Sequence, residues 1–373
     1  MSVAHVTTVH SRDDTRIRVK EVNSIANYLD ESTILFVQDG MGNEQGEHKS
    51  VSVVDTGIPR PGRLGRMMVG AWRVYRAVRR ARPTVAHFHD PELIPVGLAL
   101  KLSGIKVIYD VHEDYPRVIL KRQYLPSKLR VPVSWAVTAM ERVASLVFDA
   151  VVTATPAITK RFPYRKTVTV QNFPILSELV APEPVPYIQR PPNFAYVGGI
   201  TEIRGAREMV DAIGRVEDDR GRLELVGKFS TDNDEVAARS LEGWARVDFH
   251  GWAARPKVAE LLGKVRAGLV LYHPAPNHID AQPNKMFEYM AAGLPVIASD
   301  FPLWREIVDG AGCGLLVDPL DPEAIAEAMQ WLLDHPQEAE AMGHRGRQAV
   351  EETYNWEPEA EKLIALYRRL LPN

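Results

Sequence analysis

The sequence predicts an α/β protein made of two doubly wound parallel sheets. Three observations carry that prediction. Short apolar runs of four to six residues alternate with amphipathic helical stretches along most of the chain. The alternation stops at residues 174–192, PILSELVAPEPVPYIQRPP, which hold six prolines, and then restarts. The two sides of this break also differ in charge: residues 1–176 carry 25 Lys and Arg against 16 Asp and Glu, a net +9, and the remainder nets −12. A chain of 373 residues is long enough for two domains. We therefore expect a basic domain over 1–176, an extended connector over 177–192, an acidic domain over 193–355, and a last helix over 356–373 that packs back on the first domain.

Hydrophobic content of 45% and charged content of 25% are those of a soluble globular protein. No run approaches the ~20 apolar residues of a membrane span. The opening MSVAHVTTVHSRDD lacks a charged-then-apolar layout, so a cytoplasmic location is expected rather than export. The one cysteine, Cys313 in GAGCGLL, rules out an internal disulfide and a cysteine metal cluster. It reads as a small packing residue. No zinc-finger spacing, RNP-like string or basic zipper is present, so nucleic acid is not an expected partner.

In the first half, strands are expected at 4–9, 33–38, 50–55, 84–89, 106–111, 150–155 and 168–172. Helices are expected at 18–29, 93–102 and 133–148, with Asp14 at the cap of the first. No GxGxxG follows the first strand, so an ordinary dinucleotide site is absent. Residues 57–83 hold eight arginines, from Arg60 and Arg63 to Arg82, and no acid. They interleave with Leu64, Met67, Met68 and Trp72. Such a basic amphipathic helix packs on the sheet or lies on anionic lipid. Residues 115–130, with Arg117, Lys121, Arg122, Lys128 and Arg130 around apolar residues and Tyr124, form a second basic stretch. It reads as a lid, an acceptor loop or a second membrane contact.

Ligands of open parallel sheets sit at the carboxyl ends of strands. His10, His89, Asp90, His112, Glu113 and Asp114 fall there. Histidines with carboxylates suit a metal. None of these pairs has the close helical spacing of a zinc motif, and they come from separate strand ends. No metal or other cofactor is expected; a histidine facing a sugar hydroxyl is the preferred reading.

In the second half, strands are expected at 193–197, 223–226, 246–250, 268–272, 296–299 and 315–317, with helices at 206–216, 257–266, 322–333 and 357–371. The stretch over 276–318 carries the most chemistry. Asp280 and Glu288 stand eight positions apart, separated by a polar turn and the start of a helix near Asn284. Pro283 is tolerated at such a start, and Gly293 closes the helix. Free N–H groups at Asn284–Met286, with Lys285 beside them, make an anion site, and a carboxylate one turn further accepts bonds from vicinal hydroxyls. Phosphate plus diol describes a nucleotide sugar.

With NKMFEYMAAGLPVIAS over 284–299 in view, the chain resembles the GT-B glycosyltransferases and, among them, the retaining glycosyltransferase family 4. The resemblance implies two Rossmann-like domains facing a cleft. It also implies hexosyl transfer from a nucleoside diphosphate sugar to a glycan, glycolipid or small-molecule acceptor, with retention and without metal. The family's acidic element is Glu, seven residues, Glu; here it is Asp280, seven residues, Glu288. Glu288 then takes the donor ribose and Asp280 the transferred sugar. The aspartate is one methylene shorter, so the sugar sits differently or differs in identity. Arg204 matches the second of the family's pyrophosphate cations; Gly199 stands where the first would be, and Lys285 is its substitute, with Lys228 behind. His112, in YDVHED, matches the histidine of the family's catalytic cleft and would hydrogen-bond the sugar. In place of the family's Gly-Gly turn after the first strand stand His10 to Asp14; Asp14, Arg16 and Glu113 are the acceptor candidates. Trp252 is a packing residue or a face on which the base stacks. A nucleotide-sugar 2-epimerase and a non-catalytic partner subunit are the alternatives. By family analogy the setting is cell-envelope glycan synthesis, on the inner face of the plasma membrane where the basic stretches meet lipid.

Overall fold

The computed structural model describes residues 2–29, 31–46, 48–58, 65–120 and 125–371. Arg60, Arg63, Leu64, Lys121, Arg122 and Tyr124, part of the two basic stretches, lie outside the described residues, as does the Arg66 side chain. The chain divides into two compact units. Unit 1 is Met1–Asn172 with Trp356–Asn373, and unit 2 is Phe173–Asn355.

Unit 1 has β1 (Ser2–Val6), β2 (Ser32–Val37), β3 (Glu44–Gln45), β4 (Val51–Asp55), β5 (Val85–Phe88), β6 (Lys106–Val111), β7 (Ala150–Thr153) and β8 (Thr167–Thr169). Their order is β3-β4-β2-β1-β5-β6-β7-β8. All described pairs are parallel except β3 with β4. The strand β3 lies in a segment that reads as loop in the sequence. Unit 2 has β9 (Asn193–Val197), β10 (Arg222–Val226), β11 (Val247–Gly251), β12 (Ala267–Val270), β13 (Val296–Ser299) and β14 (Gly314–Val317). Their order is β11-β10-β9-β12-β13-β14, all parallel. Each sheet thus reverses its winding once, between β1 and β5 and between β9 and β12. Ligand crevices of doubly wound sheets form at these points.

Apolar residues cover both faces of each sheet, as parallel strands require. The helix Asn284–Ala291 is pinned to unit 2's sheet by Tyr289, whose hydroxyl accepts the Val197 N–H at 2.8 Å. The ring fits because residue 268 is glycine: a Cβ there would come within 2.2 Å of it. Buried Trp304, on the helix Pro302–Ala311, donates its indole N–H to the Ala281 carbonyl at 2.7 Å. This bond fixes the turn ahead of Asn284.

Several elements depart from the sequence expectation. The first helix starts at Thr15 with a wide π-type stretch, Thr15–Val22, before Asn23–Leu29. The Asp14 carboxylate accepts the Arg16 and Ile17 N–H groups and so starts the helix three residues early. The helix expected at 133 begins at Ser127 and runs to Val147 with Pro132 inside it. Proline marks a permitted position near a helix start, and here the start lies further upstream. The Pro-rich connector is not an extended tether. Leu179 and Tyr187 are buried in unit 2, and Arg190 bonds the Val185 and Val265 carbonyls. The helices Asp232–Arg239, Pro302–Ala311 and Pro336–Glu352 complete unit 2. The last helix, Trp356–Leu370, belongs to unit 1: Trp356 donates to Ser24 at 2.9 Å and Glu359 accepts the Gln171 N–H at 2.9 Å.

Unit 1 buries a polar cluster in its sheet: His5 on β1, His87 on β5, His89 just beyond it, Asp110 on β6, and Arg16 and Glu21 from the first helix. Burial pushes His5 and His87 well below the usual imidazole range and brings His89 down to about 4. Burial, with the neighbouring Asp110 charge, pushes Glu21 well above the usual carboxylate range. Stability follows from these directions. Below about pH 6.5 the unfolded chain binds protons on three imidazoles that the folded protein leaves neutral, each costing about 1.4 kcal/mol per pH unit until its folded value is reached. Folded Glu21 holds one proton that the unfolded chain has lost above about pH 4.5, which offsets part of this. The melting temperature of unit 1 should therefore fall steadily from pH 6.5 towards pH 4.5. Thermal unfolding at graded pH checks it, and a flat profile from pH 7 to 5 would show that the imidazoles are charged in the folded state.

Candidate functional site

In unit 2 the residues after β9 form the floor of the site. Gly198, at φ 133°, and Gly199 lead into the short turn Glu202–Arg204 and the helix Ala206–Arg215. The Arg204 guanidinium turns back and donates to the Gly199 carbonyl at 3.3 Å, with its carbon 5.6 Å from the Tyr272 ring centre. Lys285 comes from the start of Asn284–Ala291 and is only 7% exposed. Its Nζ sits 3.5 Å from the Tyr196 ring centre and 5.4 Å from that of Tyr272, and no hydrogen-bond partner reaches it among the described residues. Burial, and then the Arg204 charge, lowers its pKa well below the usual lysine range.

The two glycines explain how both cations fit. A Cβ on Gly199 would lie 2.8 Å from Arg204 Nη1, and one on Gly198 would lie 3.3 Å from Lys285 Nζ. The missing side chain at 199, where a first phosphate cation is expected, leaves the space that Arg204 occupies. The Arg204 cation and the buried Lys285 amine, which has no hydrogen-bond partner among the described residues, thus meet at a glycine turn. An unpaired buried charge is costly, and an arriving anion removes that cost.

Glu288 lies one turn along the same helix, its side chain 15% exposed. Arg255 Nη2 holds its Oε1 at 2.9 Å and Arg255 Nε holds Glu178 at 2.7 Å. Sequence reasoning missed both partners. Arg255 lies 33 positions from Glu288 and 77 from Glu178, and no local pattern marks either contact. Asp280 ends the short helix Pro276–Ile279 and is exposed; Asn284 is half-buried at the next helix start. Of the N–H groups expected to face an anion, that of Met286 is already spent on the Pro283 carbonyl at 3.0 Å, and the Met286 side chain is in the core. Met286 is therefore removed from the donor contacts. Lys228 is exposed, and its carbonyl pairs with the Ile200 N–H. Trp252 is not a packing residue: it is 70% exposed beyond Gly251.

In unit 1, His112 Nε2 lies 2.6 Å from Asp110 Oδ2, with the side chain 11% exposed. The His10 ring centre is 5.1 Å away. Asp14 binds His10 Nδ1 at 3.0 Å while capping the first helix, and these bonds hold its carboxyl below the usual range although burial opposes them. Arg16 is corrected as an acceptor contact. It is 5% exposed and fully used: Nε and Nη2 grip Asp110 at 3.2 and 3.0 Å, and Nη1 donates to the Val170 carbonyl at 2.9 Å. Glu113 is exposed, and its carbonyl accepts the Tyr115 N–H. Asp90, 1% exposed, accepts the Thr8 N–H at 2.6 Å and joins the loops after β1 and β5. Among the described residues, Glu21, His87, His89 and Asp110 bring potential ligand atoms within 4.8 Å of one another. A divalent ion there would have to displace the permanent charge of Arg16, which touches both carboxylates.

Comparison with known proteins places these units. Residues 191–335 match the family described as glycosyl transferases group 1, and residues 20–168 match the glycosyl transferase 4-like domain. The D-rhamnosyltransferase WbpZ of Pseudomonas aeruginosa is 26% identical over 154 residues, covering 41% of this chain and 39% of that protein. The alpha-maltose-1-phosphate synthase of Mycolicibacterium smegmatis is 30% identical over 195 residues, 48% of each. The chain thus spans about half or less of the length of the relatives it matches. Among solved structures, sucrose-phosphate synthase from Thermosynechococcus elongatus superposes with a TM-score of 0.75 at 20% identity, covering 99% of this chain and 98% of that one. Anabaena HepE in complex with UDP-glucose superposes at 0.71 and 14% identity, covering 99% and 100%. The two matched regions fall one in each unit, each unit is a doubly wound parallel sheet, and the whole chain superposes on solved relatives; it belongs to the group 1 glycosyltransferases of GT-B fold.

Proposed function

We propose that this protein is a retaining, metal-independent hexosyltransferase that takes its sugar from a nucleoside diphosphate donor. The observation that carries this is the desolvated Lys285 amine, without a hydrogen-bond partner among the described residues, beside Arg204 at the Gly198-Gly199 turn. A diphosphate leaving there gains two cations without a divalent ion, in a dry setting where charge stabilisation is strong. Glu288, held by Arg255, is placed for the ribose hydroxyls, and Asp280, at the end of its short helix, for the transferred sugar. The exposed Trp252 ring offers the base a stacking face. His112 is assigned a hydrogen bond to the sugar, and Asp14 and Glu113 remain the acceptor candidates. One neighbour supports the donor class: the Anabaena protein HepE was solved with UDP and with UDP-glucose. The name capsular polysaccharide biosynthesis glycosyltransferase, borne by a Staphylococcus aureus relative, supports an acceptor in cell-envelope glycan synthesis.

A cytoplasmic protein working at a membrane-borne acceptor fits the surface of unit 1. No described helix is long and apolar enough to cross a membrane. The arginine-rich helix Ala71–Ala81 buries Val74 and Val78 and exposes Trp72, with Met67 and Met68 exposed just before it. The long helix Ser127–Val147 exposes Trp135 (73%), Val143 and Leu146, and its one acid, Glu141, is buried against Arg161 and Tyr109. Apolar side chains rimmed by cations and free of exposed carboxylates suit an anionic lipid surface.

Four experiments test this. A thermal-shift screen against UDP-, GDP- and ADP-sugars should single out one donor, whose transfer then survives a chelator; loss of turnover that a divalent ion restores would remove the metal-independent reading. An epimerised donor without transfer would identify a 2-epimerase instead. Lys285→Met should lower turnover by about 10²-fold or more while keeping or raising the melting temperature, because the thioether fills the space without burying an amine. Glu288→Ala should abolish donor turnover, and an unchanged rate removes its assignment. Vesicles containing phosphatidylglycerol should sediment the protein at low salt but not at high salt, with Trp135→Ser weakening the binding; equal binding to neutral vesicles would sink the electrostatic part.

A further inference from the structure

The polar cluster inside unit 1 is one connected set of hydrogen bonds, and the Asp110 carboxylate, with one proton on each neutral imidazole, fixes the direction of each. Four N–H groups converge on Asp110: His112 Nε2 at 2.6 Å, His89 Nδ1 at 3.1 Å, and Arg16 Nε and Nη2 at 3.2 and 3.0 Å. A carboxylate facing a permanent cation accepts, so both imidazoles donate to it. His89 is fully buried and neutral, so its other nitrogen, Nε2, is a lone pair. That atom lies 2.9 Å from His5 Nδ1, which must then carry a proton. By the same step His5 Nε2 is a lone pair, and it lies 3.2 Å from the Tyr367 hydroxyl. Tyr367 therefore donates to His5, and its oxygen accepts from His87 Nδ1 at 2.8 Å. The series ends at His87 Nε2, an acceptor with no partner among the described residues. Turning the tyrosine proton the other way would bury an unsatisfied N–H on His87, which folded proteins tolerate least.

We propose that Asp110 is the positioning residue for His112, and that a one-way series of donors from His87 through Tyr367, His5 and His89 holds it in place. With Nε2 donating to Asp110, the remaining His112 nitrogen, Nδ1, is a hydrogen-bond acceptor in the neutral ring. His112 then receives a bond from a sugar hydroxyl rather than giving one. The C-terminal helix supports the site through Tyr367, a residue no local motif connects to it. The catalytic consequence rests on the reading that His112 contacts the transferred sugar; the proton arrangement does not.

The arrangement is measured first without substrate. In the full-length protein labelled with 15N-histidine, two-bond proton–nitrogen correlations distinguish the two neutral tautomers. His5, His87 and His89 should be protonated on Nδ1, and His112 on Nε2. An Nε2 proton on His89 or His5, or an Nδ1-only proton on His112, overturns the proposal. Tyr367→Phe keeps Asp110 and Arg16 intact and should release His5 and His87 into tautomer exchange; spectra identical to wild type overturn the series. Asp110→Asn should lower kcat per folded molecule by about 10²-fold with donor KM nearly unchanged, as misorientation of a positioned group does. A folded variant with wild-type kcat overturns the positioning role, and if Asp110→Asn does not fold, the spectra and Tyr367→Phe decide. Absence of transfer from every sugar nucleotide would sink the functional reading alone, since the tautomers are read without any donor.

Discussion

One lysine amine kept out of water sets the terms for the end of β9 and its surroundings. Lys285 lies over two tyrosine rings, beside the Arg204 cation, with no hydrogen-bond partner among the described residues. Aromatic faces offset part of the lost hydration. The rest stands uncompensated, which is why its proton is held so weakly. Glycines at 198 and 199, the fold-back of Arg204 and the depth of the helix start all serve that placement. Natural cores tolerate such a group rarely, and it marks a candidate functional site. An anion brought there meets two donors that need no reorganisation.

Unit 1 has the opposite electrostatic character. Its sheet buries more ionisable groups, yet nearly every one is answered. Arg16 spends its guanidinium on Asp110 and a strand carbonyl, Asp90 ties two loops together, and Asp14 serves a helix start and a histidine at once. A network of this kind, open only at His87 Nε2 and the Glu21 oxygens among the described residues, has little charge to offer a ligand. It offers orientation, because satisfied buried networks are stiff. The group it leaves partly exposed is an imidazole whose far nitrogen is already committed.

The contrast explains what the amino-acid order disclosed. Asn284–Ala291 and β13 were legible because helix start, carboxylate, closing glycine and apolar strand are local signals within sixteen residues. Arg204 and Lys285 were legible as charge types, but not that a glycine makes room for one of them. Arg16 was misread because its partner lies 94 positions away and its own loop looks polar and open. Arg255 was missed for the same reason, since helix-start residues resemble surface charge until a distant carboxylate is placed beside them. Met286 failed differently: a helix N-terminus need not leave all its N–H groups free, and the Pro283 carbonyl had taken one. Prolines misled twice, at the buried connector and within Ser127–Val147.

Both sheets are wound in one order, so each places the loops after its first and fourth main strands side by side. In unit 1 those loops carry Thr8 and Asp90, bonded to each other; in unit 2 they carry Gly198-Gly199 and Tyr272, which share two cations between them. Identical topology thus yields a self-satisfied junction in one unit and an unsatisfied one in the other. The winding fixes where a ligand can sit, and the side chains at the reversal decide whether one is needed. On that argument the junction in unit 2 favours an anion, while the network in unit 1 orients the single imidazole that Asp110 holds.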